Sequence, residues 1–210
     1  MTSTLLRAVP RTLVICACVL VSACGLSLSR PAIVKHYYLL QAAEQPAETA
    51  PAHPVAIKVN GFEVAPPFSD RALVYRVEDQ RYESDFYNEF FVTPRAMVTS
   101  RVSEWLATRH IFSNALPTSS SIEAPYTIEG LVNAMYGDLR NSAEPSAVFT
   151  MQVYVMQAGA AEHRIVLERT YSHQVRVADT GAESVVKGLS LAFQQCLADL
   201  ETDLRAADLK

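Results

Sequence analysis

Four cysteines, five histidines and a dense run of aromatics are the residues of this 210-residue chain whose types could carry chemistry. His36, His53, His110, His163 and His173 form no H-x-x-x-H pair. His163 and His173 could share a strand, but ten residues at about 3.3 Å each would hold them far apart. A histidine metal centre is therefore not expected, and no metal is assigned. Ser119-Ser120-Ser121 lies between Pro117 and Pro125, the composition of a loop rather than of a nucleophile. Glu78 with Asp79, and Glu83 with Asp85, stand beside Arg76 and Arg81 and read as exposed ion pairs of little energetic worth. No G-x-x-x-x-G-K-S/T, G-x-G-x-x-G or G-x-S-x-G segment occurs, so phosphate cradles and hydrolase elbows lack support. These residues predict no catalytic site and no cofactor.

The cysteines point elsewhere. MTSTLLRAVPR carries Arg7 and Arg11 and no acid, and the uncharged run Thr12 to Val21 follows it. That run is half the length of about 20 residues that a spanning helix needs. A basic start, a short apolar middle and small residues at the end make a secretory signal. Its end, Val21-Ser22-Ala23-Cys24, resembles a bacterial lipobox. The expectation is a signal peptide over residues 1–23, cleavage before Cys24, diacylglycerol on its thiol and an N-acyl chain of the palmitate type. Two or more chains give stable anchoring where one is marginal. Gly25 and Leu26 include no aspartate of the inner-membrane retention kind, so the expected address is the periplasmic face of the outer membrane.

With the leader gone, 187 of the 210 residues remain, enough for one domain with a real core. Two arginines leave with it, so 16 basic and 22 acidic residues give a formal charge of about −6. An acidic chain without a basic run argues against nucleic acid as partner. It equally argues against adhesion to anionic lipid by charge, which leaves attachment to the anchor. Cys196 then stands alone on an apolar helical stripe, a buried and inert thiol rather than a nucleophile.

The most distinctive stretch is Arg81–Pro94, RYESDFYNEFFVTP. Tyr82, Phe86, Tyr87, Phe90 and Phe91 fall within ten residues. Such side chains either fill a sheet–helix junction or project into a partner-binding surface, since binding hot spots favour them. The candidate surface residues are Tyr82, Phe86, Tyr87, Asn88, Phe90 and Phe91, with Asp85 and Asn88 as the polar rim or turn-setters of such a surface.

The elements that must position them follow from periodicity. Gly25–Lys35 reads as a tether, so that residues 24–35 carry the lipidated end and 36–210 the folded domain. HYYLL suits a first strand, and the Ala-, Pro- and Glu-rich Gln41–Pro54 an exposed loop. Val55–Val64 alternates with a bulge or bend at Gly61, and Ala72–Val77 is a third short strand. Thr93 and Pro94 start a helix with the stripe Met97, Val98, Val102, Trp105 and Leu106, ending near His110. LPTSSSIEAP reads as a loop. Tyr126–Tyr136, with Ile128, Gly130, Val132 and Ala134 on one face, is a strand. So are Ser146–Gln157, with Phe149, Met151, Val153 and Val155, and His163–Val177, with Ile165, Leu167, Tyr171 and Val175. AGAAE joins the last two as a hairpin. Thr180 and Glu183 match a capping box ahead of a helix with the stripe Val185, Leu189, Phe193, Cys196, Leu197, Leu200 and Leu204. The order predicts an α/β (α+β) domain with one mixed sheet of about six strands and two main amphipathic helices.

Lipobox, HYYLL, VAIKVNGFEVAPPFSDRALVYR and RYESDFYNEFFVTPRAMVTSRVSEWL together resemble the ABC-type transport auxiliary lipoproteins. The resemblance spans nearly the whole mature chain. It implies a non-catalytic outer-membrane lipoprotein that partners an MCE-domain protein, as in the paraquat-inducible type of system, and supports lipid transport and membrane integrity. A ring-forming MCE partner would favour a matching homo-oligomer. Glu89-Phe90 stands where family members often carry an Arg-Trp pair, which keeps an aromatic and loses a positive charge. The expected architecture is also similar to that of lipoprotein activators of cell-wall synthases, which gives an alternative role.

Overall fold

Two periods, two and 3.6, sort the chain into eight strands and two helices among the residues described by the computed structural model, 32–42, 50–158 and 164–209. They are β1 (His36–Tyr38), β2 (His53–Val64), β3 (Ala72–Arg76), β4 (Tyr82–Phe90), α1 (Pro94–Thr108) and β5 (Phe112–Pro117). Then come β6 (Tyr126–Asp138), β7 (Ser146–Gln157), β8 (Arg164–Arg176) and α2 (Ala182–Ala206). All belong to one compact unit, Lys35–Lys210. Cys24, the leader and His163 lie outside the described residues, as does most of the AGAAE connection.

β6 is the spine of a single mixed sheet. One of its edges pairs antiparallel with β7, which in turn pairs antiparallel with β8. Its other edge is shared, with β2 parallel to the first half and β3 parallel at Gly137–Asp138. β5 lies parallel outside β2, β4 antiparallel outside β3, and β1 parallel outside β4. The class is the expected α/β; the strand count is eight rather than six. The two extra strands are β4 and β5. β5 overlaps the segment read as a loop because FSNALP has no alternation and ends on Pro117, which an edge strand tolerates.

α1 packs against β2 and β5, and α2 against β6, β7 and β8. In α2 every residue of the expected stripe is buried, from Val185 to Leu204. Beneath it lie Phe149, Met151, Val153 and Val155, each fully buried, and Phe149 meets Phe193 at 4.9 Å between ring centroids. Burying a side chain of this size stabilises by about 1.5–3 kcal/mol, so this layer is the main source of cohesion. Gly188 permits the close approach, since a Cβ there would lie 2.8 Å from the Cβ of Ala147.

α1 starts as expected, with the Thr93 hydroxyl accepting from Ala96 N at 3.4 Å and Pro94 in the first turn. It ends at Thr108, and His110 takes a left-handed φ of 50° just beyond. The capping box of α2 does not form. Its N-cap is Gly181 without a side-chain cap, and Asp179 Oδ1 accepts from Gly181 N at 2.7 Å instead. Gly61, with φ 123°, sits at the expected bulge of β2. A further bulge in β6 between Val132 and Ala134 hands the buried face to Met135, so Ala134 does not continue it. On β8, Tyr171 is buried while Ile165 at the strand's start is exposed.

Candidate functional site: an aromatic bulge on β4

Ala72 pairs with Glu89 and Val74 with Ser84, so four residues of β4, Asp85–Asn88, stand opposite Leu73 alone. The surplus chain must leave the sheet, and bulges of this kind re-aim side chains. Asp85 fixes the excursion. Its Oδ1 accepts from the backbone N of Tyr87 (2.8 Å) and of Asn88 (3.0 Å). Its Oδ2 accepts from Asn88 Nδ2 (2.8 Å) and from the Tyr75 hydroxyl (3.0 Å). Asn88 Oδ1 in turn accepts from the Tyr38 hydroxyl at 3.1 Å, tying the bulge to β1. An Asp that accepts from amides two and three residues on is the Asx turn, here built into a strand.

The electrostatics agree with the geometry. Partial burial works against ionisation of Asp85, but its hydrogen bonds from Asn88, Tyr87 and Tyr75 outweigh it and hold the carboxyl below its ordinary range. Burial first, and then the Asp85 carboxylate, push the Tyr75 hydroxyl far upward, so it stays a donor. Glu89 beside the bulge is buried, with Lys35 on one carboxylate oxygen and Arg71 at 3.1 Å from the other. The charge lost relative to an Arg-Trp pair is thus an acid met by two bases.

Phe86 and Tyr87 point outward, 57% and 54% exposed, their rings perpendicular at 5.3 Å. Lys35 Nζ lies 4.8 Å from the Phe86 ring centroid. On the same β1–β4 ribbon, Tyr37 and Phe91 are also exposed and meet edge-on at 6.0 Å. Leu39 and Val92 add to the exposed apolar surface. A cleft of about 450 Å³ runs between this ribbon and α2, lined by Tyr37, Leu39, Phe91, Glu183, Lys187 and Ser190.

The sequence candidates therefore divide. Phe86, Tyr87 and Phe91 are surface residues, and Asn88 braces them. Phe90 is 2% exposed and part of the core, out of reach of any partner. Tyr82 belongs to a separate group, packed on Tyr136 at 5.5 Å and Phe68 at 6.3 Å beneath the Arg76 guanidinium. Asp85 sets the turn, one of the two roles its place beside the aromatics suggests, and the bulge also recruits Lys35, Tyr37, Leu39 and Tyr75, which composition does not single out. The D-F-Y-N order was the one available signal. Of the acids read as ion pairs, Glu78 and Glu83 meet Arg81 and Asp79 meets Arg140, whereas Asp85 is the exception.

Cys196, His53, His173 and Ser120, which the sequence also singles out, are buried or held in local pairs. Cys196 is fully buried, and burial pushes its thiol up to about 12. His53 is buried with Nε2 2.7 Å from Leu204 O, and His173 pairs with Asp199. The Ser120 hydroxyl accepts from Ile122 N in a local turn. Among the described residues no group of three His, Cys, Asp or Glu could hold a metal. A larger groove of about 770 Å³ flanks α1 at Gly61, Thr99, Ser103 and Thr118, and its two rim charges, Arg95 and Glu104, are paired with Glu63 and Arg101. Among the described residues no helix is long and apolar enough to cross a membrane.

Fold and site together define a helix-backed mixed sheet with an exposed aromatic bulge on its β4–β1 wing. The chain belongs to the ABC-type transport auxiliary lipoprotein component family, whose profile matches residues 38–201. No curated protein matches it. Among solved structures it is similar to protein XCC0632 from Xanthomonas campestris, of the DUF330 family. Identity is 14%, with a TM-score of 0.67 over 79% of this chain and 92% of that one. A second, uncharacterized protein is similar with 14% identity and a TM-score of 0.63 over 81% and 99% of the two chains. At such identity these likenesses speak to the fold.

Proposed function

We propose that this protein is a non-catalytic auxiliary subunit of an ABC-linked, MCE-type lipid transport system. It is held by lipid on Cys24 at the periplasmic face of the outer membrane. The observation that carries this reading is the family match across the folded domain, residues 38–201. The lipobox at Val21–Cys24 supports the anchor, and the adhesive aromatic bulge suits a subunit that works by contact. Energy would come from the ATPase of the system, since this chain has no phosphate-cradling loop. An MCE-domain protein is the expected partner, with a homo-oligomer of this chain matching its ring. The acyl chains fix the domain near its site of action and raise its effective concentration there.

The test is Cys24→Ala in the native host. The domain should stay folded, leave the membrane fraction and impair the pathway, while the wild-type chain copurifies with an MCE-domain protein. Mature wild-type protein bearing a bare cysteine, or capture of a cell-wall synthase instead, would overturn the reading.

A further inference from the structure

The exposed aromatic face has an occupant that the position of the tether identifies. Lys35, the first residue of the folded unit, is itself part of the face: its ammonium lies over Phe86 and binds Glu89. Ten residues, 25–34, separate it from Cys24, so the span from Cys24 to Lys35 reaches only about 40 Å even when fully extended. The face at the root of the tether is therefore confined to within that distance of the anchored membrane.

We propose that Phe86 and Tyr87, flanked by Tyr37, Leu39 and Phe91, seat the domain on the lipid bilayer that carries its anchor. The inference rests on the anchored reading above. Three features favour a bilayer over a second polypeptide. The bulge is convex, four residues opposite one, and a protrusion enters a deformable apolar layer without needing a matching pocket. Its ring chemistry suits the headgroup boundary, where Tyr and other amphipathic aromatics concentrate. Its acids are already satisfied, Asp85 by four hydrogen bonds and Glu89 by Lys35 and Arg71. Seating Phe86 and Tyr87 therefore desolvates no unmet carboxylate of the bulge itself. Because the chain is acidic overall, charge does not draw it to an anionic surface, and an apolar contact of this kind is not weakened as salt rises. It resembles a shallow interfacial anchor, acting as a second attachment beside the acyl chains.

The experiment uses the mature chain carrying Cys24→Ser, which has no acyl group, and vesicles of phosphatidylethanolamine and phosphatidylglycerol. The parent chain should partition weakly and reversibly, a measurable fraction floating at high lipid concentration and no less at high salt than at low, while washing still releases it from membranes. Replacing both rings, Phe86→Ser with Tyr87→Ser, should lower partition at least about ten-fold while leaving circular dichroism and melting unchanged. Phe86→Trp with Tyr87→Trp should restore it, because indole favours the interface. Failure of the parent chain to float overturns the proposal, as does a serine variant that floats equally well. So does a serine variant that keeps its vesicles but loses a copurifying protein, which would make the face a protein-docking site. Lipidation is read separately, from the mass of the wild-type amino terminus, so each reading can fail alone.

Discussion

Asp85→Asn isolates the charge that shapes the bulge. In the wild type the carboxylate accepts four hydrogen bonds at 2.8–3.0 Å, two from backbone amides and two from Asn88 Nδ2 and Tyr75 Oη. Hydrogen bonds to a charged group contribute about 1.5–3 kcal/mol each when well buried. Asp85 is half-buried, so solvent screening reduces that figure. Asparagine keeps one acceptor oxygen for the amides but turns an NH₂ toward Asn88 Nδ2, donor against donor. The expected loss is about 1–2 kcal/mol at neutral pH, and about 2–3 kcal/mol for Asp85→Ala, which removes all four bonds. At about 2–4 °C per kcal/mol for a domain of this size, both are readable in a thermal melt. The pH dependence gives the sharper test. The folded carboxyl titrates below the unfolded value of about 3.9, so its contribution is complete above that pH. It fades as the pH falls through the folded value. Urea midpoints of wild type and Asp85→Asn should therefore differ at pH 7 and converge below about pH 4. A gap that is absent at neutral pH, or equally wide in acid, would refute the assignment of the bulge to this carboxylate.

Glu201 takes Trp105 Nε1 at 3.0 Å, Arg109 Nε at 2.8 Å and Arg205 Nε at 2.9 Å where the two helices meet. Glu201→Ala removes the carboxylate that two partly buried guanidinium groups and the Trp105 indole share, and urea unfolding should show a loss of about 2–4 kcal/mol. Gly188→Ala sets a methyl 2.8 Å from that of Ala147. A melt should show it destabilising by about 1 kcal/mol or more, despite the gain in helix propensity. Cys196 should resist alkylation in the native protein and react on unfolding in urea, followed by mass; rapid native labelling would contradict its burial.

Periodic elements were legible because burial on one face leaves a record in the sequence. Phe149, Met151, Val153 and Val155 in β7, and the α2 stripe from Val185 to Leu204, needed nothing but spacing. β5 left no such record, because a short edge strand that borrows its register from β2 does not have to alternate. Ala134 was placed on the wrong face because one inserted residue in β6 reverses the alternation beyond it. The site was half legible. Five aromatics in ten residues announced a surface or a core, and only the register between β3 and β4 decides that Phe86 and Tyr87 go out while Phe90 goes in. Lys35 and Tyr37 could not be found locally, since the parallel pairing of β1 with β4 joins positions about fifty residues apart.

Buried cohesion and exposed apolar surface occupy different wings of one sheet. α1 and α2 are packed on β2 and on β5 to β8, where the buried stripes and the Glu201 junction hold the layers together. On the β4–β1 wing, by contrast, Tyr37, Leu39, Phe86, Tyr87 and Phe91 stay exposed. A fold that only needed stability would bury or shorten such a ribbon, because exposed apolar patches of this kind invite association. Instead the chain invests Asp85, Asn88, Tyr38 and Tyr75 in holding two rings outward. Changes to the exposed rings should therefore alter attachment without altering melting, and changes under the helices should do the reverse. That separation follows from the register of β4 against β3, which gives four residues to presenting two rings and none to the helix layer.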